Sequence, residues 1–272
     1  MLFVDSPSNS SLSIIKHGGT VRRVQHGPLA GLVSLFVLLA GIGATVGLGP
    51  AGWLAGTAYG MVLCGLLARA LRGAGGSGLG PADVVTLGRA VLIGGVTALV
   101  ADGFTRAAPV PLLVGLAAVA LLLDAVDGQV ARRTGTESDL GARFDMEVDA
   151  YLILLLGVHL APTAGGWVLA LGAMRYAFVA AGWTSPWLRG TLPPRQWRKV
   201  VAALQGIVLV VAAAGVLPPV GATVLLAGAF ALLVESFGRD VGWLWRHRPV
   251  AATDGAVLRR DEPVRVPAHL PA

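Results

Sequence analysis

The sequence predicts an all-α polytopic membrane protein with about eight helices. The mean hydropathy of the 272-residue chain is +0.72, and 13% of its residues are charged, which is about half of the fraction expected in a soluble domain. Several apolar runs have the length that crosses a bilayer. The short alternating strands of a membrane barrel are not seen in the sequence.

Gly- and Pro-rich segments separate the apolar runs. A polar leader reaches about residue 27, and the first run after it is long enough to stay in the membrane as a helix rather than be removed as a signal. The linker at 72–82 divides a two-helix N-terminal unit from six further helices. The predicted helices are 29–48, 52–72, 83–101, 108–126, 144–162, 166–185, 199–216 and 219–237.

The helix boundaries divide the chain into four parts, and the positions of Lys and Arg predict its orientation in the membrane. With the N-terminus in the cytoplasm, nearly all Lys and Arg fall in cytoplasmic segments, and Arg106 alone falls in an external loop. The net charge of +6 is therefore attributed to membrane topology and not to nucleic-acid binding. We expect a multi-pass protein of the cell membrane with both termini inside. Its parts are a cytoplasmic segment 1–27, a two-helix unit with its linker 28–80, a six-helix membrane domain 81–238, and an Arg/Pro-rich tail 239–272.

The stretch from 124 to 150 collects seven of the 15 acidic residues between two apolar runs. If the helix before it continues, Asp124, Asp127, Gly128 and Ala131 share one helical face, because they follow at i, i+3, i+4 and i+7. A polar turn comes next. Gly141, Asp145 and Asp149, spaced by four residues, then share a face of the following helix.

Two antiparallel helices would thus each present carboxylates near the cytoplasmic surface of the membrane. Such carboxylates do not stay ionised side by side without a counter-charge. Carboxylate-only sites favour hard cations such as Mg²⁺ or Mn²⁺, and the stretch lacks the His and Cys that zinc prefers. Metal ions beside small residues and an arginine suit a diphosphate substrate. Glu137, Asp139 and Glu147 are interpreted as structural or solvated.

The pattern DAVDGQVAR, eight residues RTGTESDL, then GARFDMEVD resembles the signature of the CDP-alcohol phosphatidyltransferase family. All eight signature positions and their spacing are present. The resemblance implies a six-helix core from about 81 to 238, with two extra N-terminal helices. It also implies an enzyme of phospholipid biosynthesis that moves a phosphatidyl group from a CDP-linked lipid, CDP-diacylglycerol, to a hydroxyl acceptor and releases CMP.

The same resemblance implies roles for single residues. Two divalent cations, Mg²⁺ or Mn²⁺, would be held by the four aspartates, and Asp149 would also be the general base for the acceptor hydroxyl. Arg132 would contact the nucleotide phosphates. Room for the cytidine nucleotide would be left by the small residues of the signature, Gly128, Ala131 and Gly141.

A second and looser resemblance lies at PADVVTLGR, residues 81–89, where family members often have Pro-Asn-x-x-Thr-x-x-Arg. Asp83 replaces the usual Asn, and one residue is inserted after Pro81. Thr86 and Arg89 are predicted nucleotide contacts. The alternative for Arg89 is a side chain that snorkels to the cytoplasmic surface.

The acceptor is not fixed by the signature. A phosphorylated polyol is the favoured class, and it would need additional cations, for which Arg175, Arg195, Arg198 and Lys199 are candidates. An arginine inside a membrane helix needs a partner, and for Arg175 that partner is either the acceptor or one of the aspartates. The opposite transfer, of a CDP-linked alcohol onto diacylglycerol, stays open.

Three other classes compete with this interpretation. An aspartate- and Mg²⁺-dependent prenyltransferase would not explain Gly-x-x-Ala-Arg, and a transporter would place its charges near the midplane. A purely structural membrane protein has little use for four spaced aspartates. The two extra helices allow regulation, dimerisation or anchoring, so a homodimer is among the expected partners, besides membrane lipids, the CDP-activated lipid and the hydroxyl acceptor.

Overall fold

The computed structural model describes residues 27–73, 81–134, 139–190, 192–193 and 195–248, and these ranges contain helices and no strand. Side chains at 73, 81–82, 127–134 and 139–140 are outside the description. The predicted all-α class and each of the predicted helices are confirmed. They are α1 (Gly27–Thr45), α2 (Pro50–Gly73), α3 (Pro81–Asp102), α4 (Val110–Thr134), α5 (Asp139–Ala164), α6 (Leu169–Thr184), α7 (Gln196–Ala213) and α8 (Pro219–Arg246).

One end of each of three helices differs from the prediction by five residues or more, whereas the remaining ends agree within three. α4 continues to Thr134, α5 begins at Asp139, and α8 continues to Arg246. Apolar periodicity ended the predicted helices where the sequence turns polar, but a helix ends only where its backbone hydrogen bonding stops. No proline interrupts the polar end of α4 or α8, so the backbone remains helical beyond the apolar part.

Within the part of the chain that the structure describes, five helices are long and apolar enough to cross a membrane, namely α1, α2, α3, α7 and α8. α4 has a shorter apolar segment, Val110–Val126, because its last part is polar. α3 is the central helix, since 72% of its apolar span is buried in the protein, against 22% of that of α2. The outer helices therefore keep an apolar surface suited to lipid.

Helix directions alternate through the bundle. α3 runs parallel to α1 and α5 and antiparallel to α2 and α4. α6, α7 and α8 continue the alternation. We call the end where α3, α5 and α7 begin the polar end, and the other the opposite end. Among the side chains that the structure describes, Arg106 is the one Lys or Arg at the opposite end.

A polar clamp ties the N-terminal unit to the rest of the protein at the opposite end. The Gly49 amide donates to buried Asp102 Oδ2 at 3.0 Å, and Arg106 Nη2 donates to the Gly47 carbonyl at 2.8 Å. A Cβ at Gly49 would lie 2.4 Å from Asp102 Oδ1, so only glycine allows this approach. The loop between α1 and α2 is thereby fixed to the end of α3.

Candidate active site

Arg89 is the centre of the charged cluster at the polar end of the bundle. Its side chain is 0% exposed, although it belongs to an otherwise apolar stretch of α3. Nη1 lies 2.9 Å from Asp124 Oδ1, and the guanidinium also pairs with Asp145 and Asp149. The guanidinium therefore does not extend to the surface of the bundle, because it is fully buried against these carboxylates.

Three helices bring this cluster together. α3 supplies Arg89, α4 supplies Asp124, and α5 supplies Asp145 and Asp149 one turn apart. The predicted shared face of the two α5 aspartates agrees with their common arginine. Buried Val148 and Leu152 anchor the same side of α5 in the core, which fixes the direction of the carboxylates.

The carboxylates are close enough to share a cation. One oxygen from each of Asp124, Asp145 and Asp149 lies within 4.8 Å of the others. Each side chain is about one third exposed, so a ligand can reach the cluster. Among the side chains that the structure describes, the Arg89 guanidinium pairs with all three carboxylates. Carboxylates gathered in this way near an apolar environment favour binding of a hard divalent cation.

The remaining signature residues are only partly within the described region. α4 extends through Asp127, Gly128, Ala131 and Arg132, so the helix continues as the spacing on one face required. Their side chains are outside the description, and the roles expected for them stay predictions. Gly141 is half-buried in the first turn of α5, four residues before Asp145.

Thr86 lies one turn before Arg89 on α3 and is 3% exposed. It precedes Ala90 by four residues, so both lie on the side of α3 that is buried in the protein. Its burial beside the cluster agrees with a place near the site, while contact with a nucleotide stays a prediction.

Arg175 pairs with a carboxylate other than the signature aspartates that the sequence suggested as its partners. Its Nη2 lies 2.5 Å from Glu147 Oε1, and its Nη1 lies 3.3 Å from Met146 Sδ. Glu147 projects from the side of α5 away from Asp145 and Asp149, so it faces α6. From the sequence alone, Glu147 was interpreted as structural and was not paired with Arg175. The need of a membrane arginine for a counter-ion was the signal that could have identified it.

The basic residues at the start of α7 form a second group. Arg198 Nη1 lies 3.6 Å from Asp240 Oδ2 of α8, and Nη2 donates to the Pro193 carbonyl. Arg195 is half-buried at the N-cap of α7, and Lys199 is exposed. The partner Asp240, 7% exposed within α8, was missed because the predicted helix ended before it.

This basic group lies beyond Asp124 toward the polar end. α7 is antiparallel to α4, and Gly206 packs against Leu121. Arg198 precedes Gly206 by roughly 12 Å of helix, whereas Asp124 follows Leu121 by roughly 4.5 Å. The Cα of Arg198 thus lies roughly 7 Å nearer the polar end than the Cα of Asp124.

Comparison with known proteins gives one finding. The model of the CDP-alcohol phosphatidyltransferase family matches residues 80–234, which is more than half of the chain and includes α3 to α7 and most of α8. No curated protein and no solved structure matches the chain. The match begins after α2, so the N-terminal unit lies outside it.

Proposed function

Since the chain belongs to the CDP-alcohol phosphatidyltransferase family, whose members transfer a phosphate-linked group from a CDP-alcohol to an alcohol acceptor, we propose that it transfers a phosphatidyl group from CDP-diacylglycerol to a phosphorylated polyol. The products are CMP and a phosphatidyl polyol phosphate. The proposal places the reaction in phospholipid biosynthesis, in the cell membrane.

The observation that carries this proposal is the convergence of Asp124, Asp145 and Asp149 on one point, with oxygens within 4.8 Å. A phosphoryl transfer needs positive charge where the diphosphate accumulates negative charge. A cluster of half-buried carboxylates has no such charge of its own. Divalent cations bound by the cluster would supply this positive charge, and members of this family typically bind divalent metals.

The donor set fits Mg²⁺ or Mn²⁺, because all ligands are carboxylate oxygens. Asp124, Asp127 and Asp145 would hold two cations, and Asp149 would contribute to the second. Bound there, the cations supply charge that stabilises the diphosphate and the departing CMP. The residues themselves orient the substrates and move the proton.

Asp149 is proposed as the general base. Its carboxylate accepts the proton of the acceptor hydroxyl, and the acceptor oxygen forms a bond to the phosphorus that carries diacylglycerol. The bond from that phosphorus to the oxygen of CMP breaks, and CMP leaves with the electron pair. Asp149 is about one third exposed, so an acceptor can approach it without opening the bundle.

The nucleotide is proposed to lie along the aspartate face of α4 and the start of α5. Gly128, Ala131 and Gly141 leave room for it, and Arg132 contacts its phosphates. Arg89 and Thr86 complete this side of the site from α3. Bound cations would supply part of the positive charge beside the carboxylates, and Arg89 would then donate to the diphosphate.

The acceptor phosphate is proposed to bind between α5, α6 and the start of α7. Arg175, Arg195, Arg198 and Lys199 supply the positive charge. Lys199 is exposed, and Arg198 is held in place by Asp240 at 3.6 Å.

The orientation and organisation follow from the charge of the two ends. We propose that the polar end faces the cytoplasm, together with both termini, because Lys and Arg concentrate there. Trp187 and Trp245 pack edge to face near this end, with ring centres 5.3 Å apart, which suits an interfacial position. We propose that the catalytic membrane domain begins at 81 and includes the whole of α8, so that it extends past the expected boundary at 238 to Arg246. A cytoplasmic segment 1–27 and the two-helix unit 28–80 precede it, and the Arg/Pro-rich tail follows it.

The test is CMP release by purified protein in detergent with Mn²⁺, Mg²⁺ or EDTA. CDP-diacylglycerol is offered with polyol phosphates, with unphosphorylated alcohols and with serine, and a CDP-linked alcohol is offered with diacylglycerol. We expect metal-dependent release with CDP-diacylglycerol and one polyol phosphate. Asp124→Asn should abolish it, and Glu235→Gln, a carboxylate on α8 outside the site, should not. Release only in the CDP-alcohol arm would reverse the assignment of donor and acceptor.

A further inference from the structure

We propose that Tyr59, on α2, is a positioning residue that sets the spacing between the helices carrying Arg89 and Asp149. Tyr59 lies outside the segment that matches the family, which begins at residue 80. The kinetic consequence of the proposal rests on the proposed function, whereas its effect on the geometry of the aspartate cluster does not.

The first contact joins Tyr59 to α3. Its hydroxyl donates to the carbonyl oxygen of Ala90 at 2.9 Å. Ala90 follows Arg89 directly, so the bond fixes the turn of α3 from which the guanidinium projects toward the aspartates. A backbone carbonyl in a helix has a second lone pair available for such a donor.

The second contact joins Tyr59 to α5. Its ring stacks on that of Tyr151, with centres 5.3 Å apart and planes 13° from parallel. Tyr151 follows Asp149 by two residues. The Tyr151 hydroxyl also receives the Thr97 Oγ1 donor at 3.4 Å, which connects this side of α5 to α3 once more. Tyr59 therefore spans α3 and α5 just beneath the charged cluster.

Small residues on α3 make room for this ring. Ala90 and Gly94 lie four residues apart on one helical face. A Cβ at Gly94 would be 3.0 Å from Cδ1 of Tyr59 and 2.5 Å from Leu35 Cδ1. The tyrosine thus fits against bare backbone, and a side chain at Gly94 would push α1 and α2 away from α3.

These contacts give the N-terminal unit a role that anchoring alone does not require. An anchor needs apolar surface toward lipid, which Leu54, Met61 and Val62 of α2 provide. Tyr59 instead uses a polar hydroxyl and an aromatic face toward α3 and α5, two of the three helices that hold the site. It acts on the carboxylates through these helices, and residues that do not touch a ligand change its affinity by about 2- to 30-fold.

The experiment compares Tyr59→Leu, which removes both contacts, with Tyr59→Phe, which keeps the ring and loses the hydroxyl. The matched control is Trp53→Leu, which removes an aromatic ring from the same helix at its α1-facing side, where Trp53 packs near Gly43. The full-length protein in detergent is titrated with Mn²⁺, and free Mn²⁺ is followed by electron paramagnetic resonance. CMP release and the thermal midpoint are measured in parallel.

We expect Tyr59→Leu to raise the Mn²⁺ dissociation constant about tenfold and Tyr59→Phe about two- to threefold. Trp53→Leu should leave the dissociation constant unchanged while lowering the thermal midpoint. The Mn²⁺ concentration for half-maximal CMP release should rise by the same factor in the Tyr59 variants, with the KM for the donor unchanged. A merely structural effect would not separate these quantities.

The outcomes that contradict the inference differ from those that contradict the proposed function. Equal Mn²⁺ dissociation constants in Tyr59→Leu and Trp53→Leu would overturn the positioning role. Tight Mn²⁺ binding that depends on Tyr59, with no CMP released from any donor, would overturn the proposed function and leave the positioning role standing. A wild-type protein that binds no Mn²⁺ would overturn both.

Discussion

Arg89 Nη1 lies 2.9 Å from Asp124 Oδ1, and the arginine side chain is entirely buried. The same guanidinium pairs with two aspartates of α5. A buried arginine thus holds three metal-ligand candidates together and provides the positive charge that their desolvation requires. In the proposed cycle this charge is shared with divalent cations, so the arginine and the metal stabilise the same carboxylates.

The first prediction concerns Arg89→Ala in metal-free protein. Removing one partner of a buried ion pair costs about 3–5 kcal/mol, and partial exposure of the carboxylates reduces this to about 1–3 kcal/mol. We expect the thermal midpoint to fall by roughly 3–10 °C. Saturating Mn²⁺ should recover most of the loss, because it replaces the missing positive charge.

Arg106→Ala is the control for this prediction. It removes an arginine that pairs with Asp102 at 3.3 Å at the opposite end, so its thermal midpoint should fall without recovery by Mn²⁺. Equal recovery in both variants would mean that Mn²⁺ stabilises the protein at some other place.

The second prediction concerns the close packing of α5 and α6. A Cβ at Gly172 would lie 2.4 Å from Leu154 Cα and 2.7 Å from the Leu154 nitrogen. These are backbone atoms, so they cannot relieve the clash by a change of rotamer. Gly172→Ala should therefore destabilise the protein by about 1–3 kcal/mol. Gly228→Ala on α8 meets nothing within 4 Å and should be neutral or slightly stabilising. Thermal unfolding in detergent distinguishes the two variants.

The third prediction separates the two functions open to Arg175. Its pair with Glu147 is partly exposed, so losing it should change stability by no more than about 1 kcal/mol. If Arg175 binds the acceptor phosphate, Arg175→Gln should raise the acceptor KM about tenfold or more, and Glu147→Gln should leave it unchanged or lower it. Steady-state CMP release with varied acceptor provides the values. The same rise in both variants would assign Arg175 a structural role.

The sequence predicted those features that depend on local periodicity. Long apolar runs located all eight helices, and the four-residue spacing of Asp145 and Asp149 placed both on one face of α5. Helix ends within 124–150 could not be read from apolar periodicity, because this stretch is polar. The prediction therefore ended α4 and began α5 too close to the neighbouring apolar runs, whereas both helices extend further into the stretch.

Contacts between distant helices were not predictable in the same way. Arg89 precedes its α5 partners by more than fifty residues, and nothing in the local pattern of α3 states which carboxylates will face it. Arg175 required a counter-ion, yet the choice of Glu147 over the aspartates follows from the packing of α6 on the other side of α5. Tyr59 carries no motif, and its place beside Ala90 and Tyr151 depends on how α2 packs on α3.

The central claim is that this aspartate cluster both holds divalent cations and transfers the group from the CDP-linked donor. The most direct measurement is CMP release together with Mn²⁺ binding for wild type and Asp149→Asn. We predict that the wild type releases CMP only with metal, and that Asp149→Asn loses about 100-fold or more of the rate while still binding Mn²⁺ at the remaining carboxylates. Wild-type release that persists in EDTA, or undiminished release by Asp149→Asn, would contradict the claim.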